Sequence, residues 1–165
     1  MISNYLEVLA LSIIQGISEF IPVSSSAHLI IFSNILNFSN KSIIFDVGLH
    51  LGSLIAILFY FRNDLLNISK DKKLFNLLLI GSLPLVLVGY IFYVTNIINS
   101  FRNLETIGWT TLIFGILMYY SDTFKIKKNI KKDLSIKNIL IIGIFQILAI
   151  IPGVSRAGIT ITAGR

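Results

Sequence analysis

The sequence predicts an all-α polytopic membrane protein, in which transmembrane helices are joined by two re-entrant helix–loop segments related as inverted repeats. Three observations carry that reading: an apolar composition, basic residues confined to two short stretches, and a short proline-centred motif that recurs late in the chain. Of 165 residues, 55% are hydrophobic and 13% charged, with a mean hydropathy of +0.83. Too few polar side chains remain to cover a water-soluble globule of this size. The formal charge of +6 would suit nucleic acid. However, 10 of the 14 basic residues lie in Arg62–Lys73 and Asp122–Lys137, between apolar runs, which is the pattern of a topology signal. No nucleic-acid partner is therefore expected. The absence of cysteine excludes disulfides, thiolate metal sites and cysteine catalysis. The start, Met1-Ile2-Ser3-Asn4, lacks the basic region of a secretory signal. Residues 1–165 are read as a single membrane domain.

Taken in order, Tyr5 to Val23 is apolar but interrupted by Glu7, Gln15 and Glu19, and so makes a poor simple span. Ile43 to Phe61, Leu74 to Ile98 and Leu104 to Tyr120 have the length and apolarity of spanning helices. Pro84 falls inside the second and is expected to kink it, since neighbouring helices can satisfy the freed carbonyl. Asn138 to Ile151 offers only 14 residues before Pro152-Gly153. With the two basic loops placed inside, Leu74–Ile98 and Leu104–Tyr120 form a hairpin turning outside. The segment around Ser24 to Ser42 then faces outward. The N-terminus has no basic residue to hold it inside, which favours a first arm that dips in and returns.

A shift of 130 positions superposes Ile21-Pro22-Val23-Ser24-Ser25-Ser26-Ala27 on Ile151-Pro152-Gly153-Val154-Ser155-Arg156-Ala157. Three expected crossings separate the copies, so they approach the membrane from opposite sides. Broken helices from inverted halves meet near the midplane and build a site there.

The first copy belongs to a longer run, Gln15-Gly16-Ile17-Ser18-Glu19-Phe20-Ile21-Pro22-Val23-Ser24-Ser25-Ser26-Ala27-His28. Four residues apart on a helix, Gln15 and Glu19 share a face and can point at one ligand or ion. Pro22 and the serines end that helix in a loop of N–H and hydroxyl donors, and His28 follows Ser25 by three positions. Serine and glutamine alone could merely join helices by hydrogen bonds. Glu19 is different, because an ionisable group in apolar sequence is costly unless it faces a polar cavity.

The second run is Pro152-Gly153-Val154-Ser155-Arg156-Ala157-Gly158-Ile159-Thr160. Its glycines allow a tight turn close to an anion, and Ser155 and Thr160 add hydroxyls. Arginine at the centre of a membrane helix costs about 2.5–3.5 kcal/mol on the lenient scale. A guanidinium–phosphate pair at an effective dielectric of 20 is worth about 4 kcal/mol, which would offset that cost. Snorkelling of Arg156 to a headgroup is the plainer alternative.

Gln15 to His28 resembles the first signature of the undecaprenyl-diphosphatase, or bacitracin-resistance, family: Glu or Gln, then Glu four residues on, Pro-Val-Ser-Ser, a small pair and His. Pro152 to Thr160 resembles its second, Pro-Gly-x-Ser-Arg-Ser-x-x-Thr. Phe45-Asp46-Val47-Gly48-Leu49-His50-Leu51-Gly52 resembles the segment after the first motif, with Asp46 and His50 expected in structural or supporting roles. Two departures stand out: Ala157 replaces a serine, and Gln15 stands where many members carry Glu. The resemblance also implies about another hundred residues of membrane helices after Arg165, so the chain is expected to be the N-terminal part of a longer domain.

What the resemblance implies is hydrolysis of undecaprenyl diphosphate to undecaprenyl phosphate and inorganic phosphate. This would recycle the carrier for peptidoglycan synthesis and confer bacitracin resistance, at the outer side of the bacterial inner membrane. The expected catalytic residues are Glu19, Ser25, His28 and Arg156, with Gln15, Ser24, Ser26, Gly153, Ser155 and Thr160 binding substrate. Ser25 would attack or position water, His28 would transfer a proton, and Glu19 would orient His28 or hold a divalent cation, Mg or Ca. Nucleophile, metal and oligomeric state stay open. A carrier or flippase for a lipid phosphate is the alternative, since inverted repeats with a midplane anion site are transporter architecture. A carrier, however, needs no nucleophile or proton donor.

Overall fold

Apolar runs broken by small clusters of turn-forming residues produce a chain of helices, and the computed structural model describes residues 2–38, 42–124 and 135–165 of it. Helix α1 spans Ile2–Glu19 and stops short of Pro22. After a turn, α2 (Ser25–Ile35) begins with Ser24 as its N-cap, the side chain accepting from the Ala27 N–H. Ser42 caps α3 (Ile43–Tyr60) in the same way, and the short α4 (Arg62–Lys70) carries much of the first basic stretch. Helix α5 (Lys72–Val94) runs through Pro84 without a break. It ends before Asn96, whose left-handed backbone (φ 55°) turns the chain into α6 (Ile97–Ser100). The apolar stretch expected to reach Ile98 is therefore two helices, because asparagine tolerates a conformation that ends the first. Helix α7 (Leu104–Asp122) is capped by Asn103. Then come α8 (Ile136–Ile147), a 3₁₀ turn (Leu148–Ile150) and α9 (Arg156–Gly164). Most of the second basic stretch, including Asn129, lies outside the described residues, as does Ser39.

Burial confirms the solvent. Helices α3 and α5 have mean hydropathies of 2.0 and 2.3 over their best windows, yet only 6% of each window is buried by protein. A soluble protein would cover such helices with its own core. In α3 the one buried residue is Asp46, while Ile44, Phe59 and Tyr60 are exposed. Polar groups face the protein and apolar groups face outward, as lipid requires. Among the described residues these two helices are long and apolar enough to cross a membrane. Helix α7 has the length, but its threonines, tyrosines and Glu105 leave it less apolar than the sequence reading expected.

Close packing fixes the second motif's arm. Gly81 of α5 and Gly143 of α8 are both buried, and a Cβ on Gly143 would run into the Gly81 carbonyl. A Cβ on Gly81 would lie 2.8 Å from Ile139 Cγ2. Small residues thus let these two backbones touch, the usual way for membrane helices to pack without a hydrophobic driving force. A half-buried ion pair, Arg102 Nη2 to Asp46 Oδ2 at 2.5 Å, ties the start of α3 to the turn before α7. A polar cavity of about 160 Å³ beside this pair is lined by Leu29, Ile30, Ser33 and Asn34 of α2.

Candidate active site

Each motif occupies a break between two helices. Around the first break, polar side chains from three helices converge on one carboxylate oxygen. Glu19 Oε2, at the end of α1, accepts from Ser25 Oγ at 2.7 Å and from Gln15 Nε2 at 2.9 Å. His50 Nδ1, from α3, lies 3.2 Å from the same oxygen and 2.7 Å from Gln15 Nε2. Gln15 is only 1% exposed, and its Oε1 has no hydrogen-bond partner among the described residues. The helical spacing that puts Gln15 and Glu19 on one face thus joins them to each other, and the rest of the cluster comes from α2 and α3. Glu19 bonds Ser25, not His28, because His28 points back along its own helix. Its Nδ1 lies 2.7 Å from the Ser24 carbonyl oxygen. A carbonyl can only accept, so Nδ1 carries the proton and a neutral His28 has its lone pair on Nε2.

Around the second break the backbone is held and the charge is left free. Gly153 has φ +98°, a conformation that favours glycine, and a Cβ there would strike Thr110 Oγ1. Thr110 donates to the Pro152 carbonyl at 2.7 Å, fastening the turn to α7. The Gly153 N–H donates to Ser24 Oγ at 3.1 Å, and this buried bond joins residues 129 apart. That N–H is therefore taken by Ser24, so it is not turned toward a ligand as the sequence reading had it. Ser24 Oγ also lies 3.2 Å from Ser26 Oγ. Ser155 caps α9 by accepting from the Gly158 N–H at 3.2 Å, which leaves its own hydroxyl proton available. The Thr160 hydroxyl bonds back within α9, to the Arg156 and Ala157 carbonyls. Arg156 is the first residue of α9 and is exposed, where the sequence reading had it buried in an apolar arm. Among the described residues no side chain pairs with its guanidinium.

Sequence reasoning underrated His50, which it placed with Asp46 in a supporting role. The two are one helical turn apart but serve different partners, Asp46 taking Arg102 and His50 entering the Glu19 cluster. The signal available was their spacing on one face of α3, but nothing in the sequence says which face meets α1.

Fold and site together define a helical membrane protein in which two helix breaks, clasped through Ser24 and Gly153, bring together a carboxylate–hydroxyl pair and an arginine that has no partner among the described residues. Residues 8–165 match the family described as bacitracin resistance protein BacA, and the chain belongs to that family. It is 57% identical over 166 residues to the undecaprenyl-diphosphatase of Pelagibacter ubique (strain HTCC1062), covering 100% of this chain and 65% of that relative. It is 38% identical over 174 residues to the undecaprenyl-diphosphatase of Chromohalobacter salexigens, covering 97% and 65%. To that of a Jannaschia species (strain CCS1) it is 39% identical over 168 residues, covering 94% and 63%. The chain thus spans a little under two thirds of the length of the curated relatives it matches.

Proposed function

We propose that this protein takes part in hydrolysis of undecaprenyl diphosphate to undecaprenyl phosphate and inorganic phosphate, recycling the lipid carrier and conferring bacitracin resistance. The observation that carries this reading is the contact between the motifs. The Gly153–Ser24 bond sets the start of α9, with an arginine unpaired among the described residues, beside the break flanked by Glu19 and Ser25. Arg156, with the Ser155 hydroxyl, holds the terminal phosphoryl group through a planar fork and neutralises charge as it is transferred. Ser25 already donates its proton to Glu19 Oε2, so Glu19 takes that proton as Ser25 Oγ attacks phosphorus. The bond to the bridging oxygen breaks, and undecaprenyl phosphate leaves. His28 Nε2, the ring's free lone pair, then takes a proton from the water that attacks phosphorus; the bond to Ser25 Oγ breaks, Ser25 regains its proton from Glu19, and inorganic phosphate leaves.

The residues present also suit a divalent cation. Gln15 Oε1 is a buried oxygen with no partner among the described residues, on the side chain whose nitrogen bonds Glu19, and hard cations such as Mg or Ca take such oxygens together with phosphate. Gln15 and Glu19 would hold it. When bound, it would neutralise charge on the diphosphate.

In the same proposal the two helix–break–helix units are re-entrant arms of inverted topology, opening to the outer face of the inner membrane. Support comes from the matching form of the two units and from the basic stretch on α4. A single cysteine at Asn99 should react with an impermeant thiol reagent in intact cells, and one at Ser69 should not; the reverse pattern would overturn the orientation. Phosphate release from undecaprenyl diphosphate by the purified full-length protein, with and without chelator, tests the activity. Binding and transbilayer movement of the lipid without phosphate release would instead establish the carrier reading.

A further inference from the structure

We propose that His50 is a positioning residue for this hydrolysis, acting through Gln15 to hold Glu19 on Ser25; the inference rests on the reading above. The argument is one of donors and acceptors. Gln15 Nε2, Glu19 Oε2 and His50 Nδ1 form a triangle with edges of 2.9, 2.7 and 3.2 Å. The amide must present its nitrogen to Glu19, because a carbonyl oxygen at that distance would be repelled by the carboxylate. An amide nitrogen carries two protons, and the two shorter edges are the two that meet at Gln15. The longest edge joins two acceptors, as expected when no proton lies between them. His50 Nδ1 is therefore the lone pair that receives the second Gln15 proton, and the ring proton sits on Nε2.

The consequence reaches the reacting hydroxyl. Gln15 is buried, and with Glu19 and His50 each taking one of its protons, its amide cannot rotate without losing both bonds. That fixes Gln15 Oε1 as the unpartnered oxygen. It also holds Glu19 Oε2 where Ser25 meets it. Ser53, one helical turn beyond His50, lies 3.5 Å from the same Gln15 nitrogen, a packing contact since both amide protons are taken, so α3 backs the amide at two points. Loss of His50 would leave the amide held by its Glu19 bond alone, free to swing about that bond and to loosen Glu19 Oε2 from its place on Ser25. The role of His50 belongs to kcat rather than to substrate affinity, since His50 takes part neither in the Arg156 contact nor in holding the cation.

The test is a double-mutant cycle in the purified full-length protein, with undecaprenyl diphosphate as substrate. His50→Ala should lower kcat about tenfold or more while KM changes less than about threefold. Gln15→Ala should lower kcat at least as far, with a rise in KM of its own from the lost cation oxygen, and the double variant should be no worse than Gln15→Ala, because both remove one link. Inverting the polarity sharpens this: Gln15→Glu removes the donor, and adding His50→Gln, which supplies an N–H in place of a lone pair, should recover activity. If the alanine variants do not fold, the comparison of Gln15→Glu with Gln15→Glu/His50→Gln decides alone. Additive losses in the cycle, or no recovery on inversion, would overturn the role of His50. Failure of the hydrolysis reading shows separately, as unchanged phosphate release by Arg156→Ala.

Discussion

The two motifs resemble each other in sequence and differ in how they are finished. At the first, protein side chains satisfy one another: Glu19 has Ser25, Gln15 and His50 around a single oxygen. At the second, the backbone is secured by Thr110 and Ser24, while the arginine it presents has no partner among the described residues. A carboxylate in apolar surroundings is costly unless hydrogen-bonded, so the protein must complete that side itself. An arginine meant for an anion gains most if nothing inside the protein competes for it. In the proposed reaction the difference separates a half that acts from a half that receives.

The largest effect that could break this division is at Arg156. Arg156→Ala should lower kcat/KM by about 10²–10³-fold, the cost of removing a donor aimed at developing charge. Arg156→Lys should fall short of recovery, because the charge survives but the fork does not. Phosphate release kinetics decide both, and normal kcat/KM in Arg156→Lys would show that charge alone matters there. Next comes Glu19→Gln, expected to cut kcat by about 10²–10⁴-fold while binding of the diphosphate lipid is largely kept. Equal loss of binding, measured by titration with the lipid, would erase the distinction between the two halves.

The clasp between the halves should matter less than either. Ser24→Ala removes the N-cap of α2 and the acceptor for the Gly153 N–H, at a cost of about 1–3 kcal/mol. Thermal unfolding in detergent should show the loss, together with a modest fall in kcat. An unchanged melting temperature would mean the motifs are held together elsewhere. The smallest effect on chemistry should come from Gly143→Val. It would push α8 from α5 and lower stability by about 1–3 kcal/mol, leaving the KM of the surviving folded protein unchanged.

The motifs were open to sequence reading because membrane sequence is mostly apolar, so Glu19, Gln15, the serines and Arg156 stand out against it. That Glu19 serves Ser25 rather than His28 was not, since it depends on how far α1 runs before it stops and on where the His28 ring turns. Nor was the Asp46–Arg102 pair, which links residues 56 apart through the turn before α7.

What the sequence determined by itself is what composition and local chemistry decide. It set the class of solvent, the break at each motif and the polar residues that stand out there; the caps at Ser24, Ser42, Asn103, Ser135 and Ser155, which the sequence reading did not name, follow from the same local chemistry. Tertiary structure alone decided which of those residues meet. Gly81 and Gly143 let α5 and α8 touch, Thr110 pins the Pro152 turn, and only then does the Gly153 N–H reach Ser24. The packing of α3 against α1 brings His50 to Gln15. Helix periodicity gives each residue a face, but which faces meet depends on close packing between segments far apart in the chain, and no local pattern records it.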